Sequence, residues 1–275
     1  MDPAVLPVII TLTTDFGLED PYVGQLKGAL LKGCPSATLI DITHAIPAWD
    51  VVTAAVTIRT SYSYFPLGSI HLIVVDPGVG SQRAILVAAG EGHFFVAPDN
   101  GILSLLVADH KIETAHRVED PSFFPASVSP TFHGRDIMAP VVAALAGGRA
   151  LRDFGTSVPL QALVPTTVPS AVPEPGCLHG QVQGIDHFGN IRTTLRVGNG
   201  HLDPAVFDFL EIGGRRITQL AGTYHQAPAG VLIALIDSSG YLEIAANQAS
   251  AAAILGCSSG ERVTVHLGRQ QAQDE

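Results

Sequence analysis

The chain has 275 residues, of which 47% are hydrophobic and 15% charged. That composition buries a substantial core in one large or two modest domains, and it excludes a disordered or solvating role. A formal charge of −10 supplies no positive field for a phosphate backbone, so nucleic acid is not an expected partner.

In chain order, residues 1–5 lack a basic leader segment and the apolar run at 8–10 is too short for a secretion signal. No apolar stretch approaches the roughly 20 residues that cross a bilayer. A soluble cytoplasmic protein with no membrane partner is the expectation. Strand periods at 8–14, 38–42 and 70–75 alternate with helical periods at 22–31 and 51–62. This alternation predicts an α/β domain with a mainly parallel sheet and flanking helices. Strands at 84–89 and 93–97 follow, then helices at 102–108 and 136–147, the last stopped by Gly147 and Gly148. Residues 157–176 carry Pro159, Pro165, Pro169, Pro173 and Pro175 without helical or strand period. They read as a semi-rigid linker, so the expected layout is an N-terminal domain at 1–158, a linker at 159–176 and a C-terminal domain at 177–275. Short runs at 182–185, 191–195, 206–212, 231–236, 241–245 and 263–267 predict a smaller antiparallel β-rich domain. Arg215 and Arg216 read as a solvated turn.

Chemistry-bearing residues gather at the predicted strand ends, where open α/β sheets bind ligands. Asp15 follows the first strand in Thr13-Thr14-Asp15-Phe16-Gly17 and can hold a diol, ligate a metal or cap the next helix. Asp76 begins Asp76-Pro77-Gly78-Val79-Gly80, a sharp turn across which Arg83 can face it. His133 sits where a loop enters the 136–147 helix, a position suited to proton transfer or ligation. In the second domain, Asp186, Phe188 and Asn190 offer a carboxylate, an aromatic face and an amide within one turn. Ser239 and Asn247 fit a strand-entry turn and a cap for a helix at 249–255. Cys34, Cys177 and Cys257 fit neither a disulfide framework nor a zinc spacing, and the histidines show no paired-ligand spacing. No transition-metal site is expected, and the cysteines read as structural. From these residues alone, a metal phosphoesterase built on Asp15, Asp76, His133 and Asp136 and a non-catalytic binding protein both stay open.

The segments TTDFG from Thr13, DITHAIPAWDV from Asp41, DPGVGSQR from Asp76, APDNG from Ala97, PTFHGRD from Pro130, DHFGNIRT from Asp186 and SSGYLEIAANQASAA from Ser238 occur in order along nearly the whole chain. With them the sequence resembles the S-adenosyl-L-methionine hydroxide adenosyltransferase family, relatives of the fluorinases and chlorinases. The resemblance implies hydrolysis of S-adenosyl-L-methionine to adenosine and methionine by water, without a cofactor. It also implies a homotrimer whose active sites lie between subunits. It assigns Asp76, Arg83 and His133 to catalysis, Asp15 to the ribose hydroxyls, and Asp186 with Ser239 to the methionine ammonium. Phe188 and Asn190 fall near the adenine, with the backbone around Asn247. Asp20, Tyr22, Tyr241 and Gln248 complete the implied substrate-binding set. Halide-using members carry tyrosines at the positions of Asp76 and His133 and a serine at Gly134, so these positions imply the water-using branch. Ser239 and Ala246 stand where fluorinase-type members carry arginines.

Overall fold

The structure, a computed structural model, describes residues 7–166, 171–198 and 202–268. The N-terminal residues 1–6, read above for a leader, and Pro169 of the proline-rich stretch lie outside these. The chain divides into two compact units, residues 1–167 and 168–275.

The first unit contains β1 (Ile9–Thr14), α1 (Tyr22–Gly33), β2 (Thr38–Thr43), α2 (Val51–Ser61), β3 (Ile70–Val74), β4 (Ile85–Gly90), β5 (His93–Pro98), α3 (Ser104–Ala108), β6 (Thr114–Arg117) and α4 (Ala139–Ala146). Its sheet runs β2-β1-β3-β5-β4-β6. The first four strands are mutually parallel, while β4 pairs antiparallel with both β5 and β6. Apolar residues of β3 alternate between two layers, Ile73 on one side and Ile70, Leu72 and Val74 on the other with Ile10 and Leu12 of β1, so each sheet face has its own core. One holds Ile58, Ile73, Phe95 and Leu106, the other Leu12, Leu26, Leu72, Val142 and Phe154. Asp50 fixes the start of α2 by accepting the Thr53 backbone N–H at 2.9 Å. Strand β6 was not anticipated, because Thr-Ala-His-Arg is too short and polar to show a strand period.

The helix expected over 136–147 begins differently. Residues Gly134–Met138 form a π-helical turn, and only then does α4 run as a regular helix. Pro140 has no N–H for the usual bond one α-turn back, which favours a wider turn in front of it.

The second unit contains β7 (Val172–Glu174), β8 (Cys177–Ile185), β9 (Ile191–Arg196), β10 (Phe207–Ile212), β11 (Arg215–Ile217), β12 (Leu220–Ala221), β13 (Leu232–Ile236), β14 (Tyr241–Ala246), α5 (Ala251–Leu255) and β15 (Arg262–Leu267). The strands follow the order β11-β10-β15-β8-β9-β14-β13-β12, with β7 added beside β8. All pairings are antiparallel except β12 with β13. Arg215 and Arg216 lie in β11 rather than in a turn, and Arg216 stacks its guanidinium 3.5 Å from the Phe209 ring centre. In the proline-rich stretch, Val158 and Leu163 are buried in the core of the first unit, whereas Val172–Glu174 forms β7. Among the described residues no helix is long and apolar enough to cross a membrane.

A buried polar chain runs through the first sheet. His71 is fully buried, its Nδ1 2.7 Å from Thr11 Oγ1 and its Nε2 3.2 Å from His93 Nδ1. Burial, aided by His93, pushes the His71 ring down to about 3. An unfolded chain takes a proton at this ring below about 6.5, but the folded protein resists it until about 3. Stability therefore falls as the pH drops through that window, by up to about 1.4 kcal/mol per pH unit from this group. Urea unfolding at successive pH values should show the slope, and His71→Asn should flatten it.

Candidate active site

Strands β1 and β3 are adjacent and parallel, with Thr14 opposite Val74. Their carboxyl ends therefore deliver Asp15 and Asp76 to one edge of the sheet. The loop bearing His133 is pressed against the Asp76 loop: Gly80 has φ +79°, and a Cβ there would lie 2.6 Å from the Pro130 carbonyl oxygen. Only glycine satisfies both the backbone angle and this approach.

Arg83 crosses the Asp76 turn. Its Nε donates to Oδ1 and Oδ2 of Asp76, both at 2.9 Å, and its Nη2 donates to Oδ2. The same Nη2 lies 3.0 Å from His133 Nδ1. Both charged side chains are buried, Arg83 10% and Asp76 6% exposed. A guanidinium has no acceptor atom, so His133 Nδ1 must accept, and a neutral ring then carries its proton on Nε2. Burial holds the His133 ring below its usual 6.5, and the Arg83 charge adds to this against the opposing Asp76 and Asp136. The cluster is thus a carboxylate, a fixed cation and a neutral imidazole.

Asp76 and His133 line a cavity of about 270 Å³ with Asp15, Tyr22, Trp49 and Phe132. Phe16, Tyr22 and Phe132 pack edge to face there, with ring centres 5.6–6.0 Å apart. Asp15 Oδ2 accepts the Trp49 backbone N–H at 2.9 Å. Trp49 itself is 72% exposed and has φ +66°. It stood inside a quoted segment yet was not singled out, since no sequence pattern announces a left-handed backbone at tryptophan. His44 braces the same edge: its Nδ1 is 2.8 Å from Thr14 Oγ1 and its carbonyl accepts the Gly17 N–H. Asp20 is exposed and does not line this cavity.

The second unit has its own cavity of about 570 Å³, lined by Asp186, Phe188, Asn190, Tyr224, Gln248 and neighbouring small residues. Asp186 braces its turn, accepting the Phe188 and Asn190 backbone N–H groups at 2.9 and 2.8 Å and Asn190 Nδ2 at 3.0 Å. Phe188 is 74% exposed, free to offer a ring face. Gln248 takes φ +56°, a strained conformation of the kind found at binding loops. Three implied residues do not reach this cavity. Tyr241 is buried between Arg192 and Arg196, Ser239 is held in a turn by Asp237, and Asn247 donates to the Ala227 carbonyl. Nor does Asn247 cap the last helix; Ser250 does, accepting the Ala253 N–H. Tyr224 was missed; its hydroxyl donates to the buried Glu243 at 2.9 Å. Burial raises the Glu243 carboxyl, and Asp186 and Asp237 push it further up.

The comparisons with known proteins agree across both units. Residues 10–155 match the SAM hydroxide adenosyltransferase N-terminal domain and residues 180–264 its C-terminal domain. The chain belongs to the SAM hydroxide adenosyltransferase family. It is 37% identical to the (R)-S-adenosyl-L-methionine hydrolase of Salinispora arenicola over 94% of this chain and 98% of that protein. It is 30% identical to the fluorinase of Actinopolyspora mzabensis over 94% and 96%. The crystal structure of an uncharacterized conserved protein from Thermotoga maritima superposes with a TM-score of 0.85 at 31% identity, covering 94% of this chain and 99% of that one.

The two-ion phosphoesterase is not supported. Asp76 is already paired with Arg83 and Asp136 with Arg135. Among the described residues, the only three candidate ligands whose atoms lie within 4.8 Å of one another are Glu174, Cys177 and His179. In this family member Arg83 organises the cluster, which Arg83→Met should expose. His133 should titrate below about 6.5 in the intact protein and move upward in the variant, by NMR of the ring protons. Stripping the partner from the buried Asp76 should also cost about 3–5 kcal/mol of stability.

Proposed function

We propose that the protein hydrolyses S-adenosyl-L-methionine to adenosine and L-methionine. The observation that carries this is that Asp76 and His133, bridged by Arg83, face one cavity with Asp15. Water attacks C5′ of the ribose in line with the sulfonium, the C5′–S bond breaks, and methionine leaves as a neutral thioether. No acid is needed for such a leaving group, and no cofactor.

The attacking water must lose a proton. With Nδ1 of His133 accepting from Arg83, the neutral ring offers an N–H rather than a lone pair to the cavity. The carboxylate of Asp76, which keeps lone pairs beyond those used by Arg83, is then the acceptor, and Nε2–H of His133 orients the water oxygen. The proton passes from Asp76 to solvent, so the products are adenosine, methionine and one proton. General-base assistance of this kind contributes about 10²–10⁴-fold. Asp15 holds the ribose hydroxyls, and Asp186, Phe188, Asn190 and Gln248 take the remainder of the substrate.

Halide transfer is the alternative within the family. Here Gly134 meets Val74: an added Cβ would lie 2.8 Å from Val74 Cγ1, so a serine at this position requires Val74 to move. Isotope-labelled water should place its oxygen in the adenosine 5′-hydroxyl, and Asp76→Asn should lower kcat by about 10²–10⁴-fold with KM little changed. Label absent from adenosine, or 5′-chloro-5′-deoxyadenosine formed in chloride, would refute hydrolysis.

We also propose a homotrimer in which the first unit's cavity of one subunit works with the second unit's cavity of its neighbour, as the family resemblance implies. Mixing inactive Asp76→Asn and Asp186→Ala proteins after dissociation should restore measurable turnover. Failure of the reassembled mixture would count against shared sites.

A further inference from the structure

Away from both cavities, β7 and β8 form a tight hairpin in which Glu174 is opposite Cys177. Pro175 and Gly176 make the turn, with Gly176 at φ +79°, the proline-glycine arrangement of a two-residue reversal. Pro173 and Pro175 flank Glu174 and restrict its backbone, so little freedom remains to be lost there. Cys177 and His179 are two apart on β8 and share a face, and Thr264 of β15 is opposite His179 on the same side.

These register positions bring three different donor atoms together. His179 Nε2 lies 3.4 Å from Cys177 Sγ and 3.2 Å from Glu174 Oε2. For Zn–S of about 2.3 Å and Zn–N and Zn–O of about 2.0–2.1 Å, tetrahedral coordination separates S from N by about 3.6 Å and N from O by about 3.3 Å. The observed spacing is within a few tenths of an ångström of both. The far side of the imidazole is also organised: His179 Nδ1 is 3.0 Å from Thr264 Oγ1. A proton on Nδ1 donated to that hydroxyl leaves the Nε2 lone pair aimed at Cys177 and Glu174, the outer contact that ligating histidines commonly have.

We propose that Glu174, Cys177 and His179 bind a divalent transition ion of the zinc class, with the fourth position open to water or an external donor. Thiolate and carboxylate neutralise the dication, and the sulfur selects against magnesium and calcium. His266, opposite Cys177 on β15, does not complete the set, because its ring stacks on Phe209 and its Nε2 is 3.4 Å from Glu211. The ion closes the proline-bounded β7 onto β8 and takes no part in the proposed hydrolysis.

Cobalt(II) titrated into chelator-treated protein should give a thiolate-to-cobalt charge-transfer band that saturates at one ion per chain and is displaced by zinc. Cys177→Ser should abolish the band, while Cys34→Ser and Cys257→Ser keep it. Thr264→Val, which leaves all three ligands, should weaken binding by roughly 10–100-fold. Circular dichroism establishes that each variant is folded, and S-adenosylmethionine turnover should be the same in Cys177→Ser and the parent. No charge-transfer band in the parent, or a band that survives Cys177→Ser, overturns the assignment.

Discussion

Arg83 cannot be deprotonated inside a protein, and the fold leaves it only 10% exposed between Asp76 and His133. Everything at the first cavity follows from that fixed cation. It pairs with the nearly buried Asp76 carboxylate, and it requires His133 to accept at Nδ1. A buried pair of this kind adds little to stability in comparison with apolar packing, yet losing either partner is costly. Its use here is organisational. It holds three groups in one protonation pattern across a loop–helix junction.

The backbone that permits this is built from steric exceptions. Gly80 is the only kind of residue that fits beneath the Pro130 carbonyl, and Gly134 packs its bare α-carbon against Val74. The π turn in front of Pro140 begins just after His133, which occupies the position preceding it. Parallel pairing of β1 and β3 then adds Asp15 at the neighbouring strand end. Loops that carry little regular hydrogen bonding are thus fixed by contact rather than by secondary structure. That is how a cluster on flexible-looking sequence comes to have defined geometry.

Much of this was legible in the sequence, for identifiable reasons. Apolar runs and periods of 3.6 residues gave the parallel strands and their helices, since β1, β3 and β5 are buried along nearly their whole length and only the edge strand β2 is partly exposed. The short strands β6, β11 and β12 have no such pattern. β6 and β12 pair with strands further along or back in the chain, and β11 folds back on β10 through a hairpin. Asp76, Arg83 and His133 were each readable as residues at strand or loop ends, but the order in which they bond was not, since a guanidinium bridging the other two is a tertiary fact. Tyr241, which the resemblance implies for substrate binding, is buried with Arg192 and Arg196 over its ring. The Glu174, Cys177 and His179 group escaped for the opposite reason: spacing rules seek paired ligands along a helix or knuckle, whereas here a hairpin turn and strand alternation assemble the set.

Choice of nucleophile is where the cluster's charge pattern matters most. A halide approaching the sulfonium would have to sit beside the Asp76 carboxylate, and two like charges a few ångströms apart in a partly desolvated cavity repel strongly. Arg83 offsets this only in part, because it does not line the cavity and turns Nε and Nη2 toward Asp76 and His133. Water carries no charge and meets no such barrier, and it is the nucleophile that needs a nearby acceptor for its proton. In the proposed mechanism the same carboxylate that disfavours the anion accepts the proton of its competitor. In the proposed reaction, selectivity and catalysis are two consequences of one buried negative charge, held in place by one arginine.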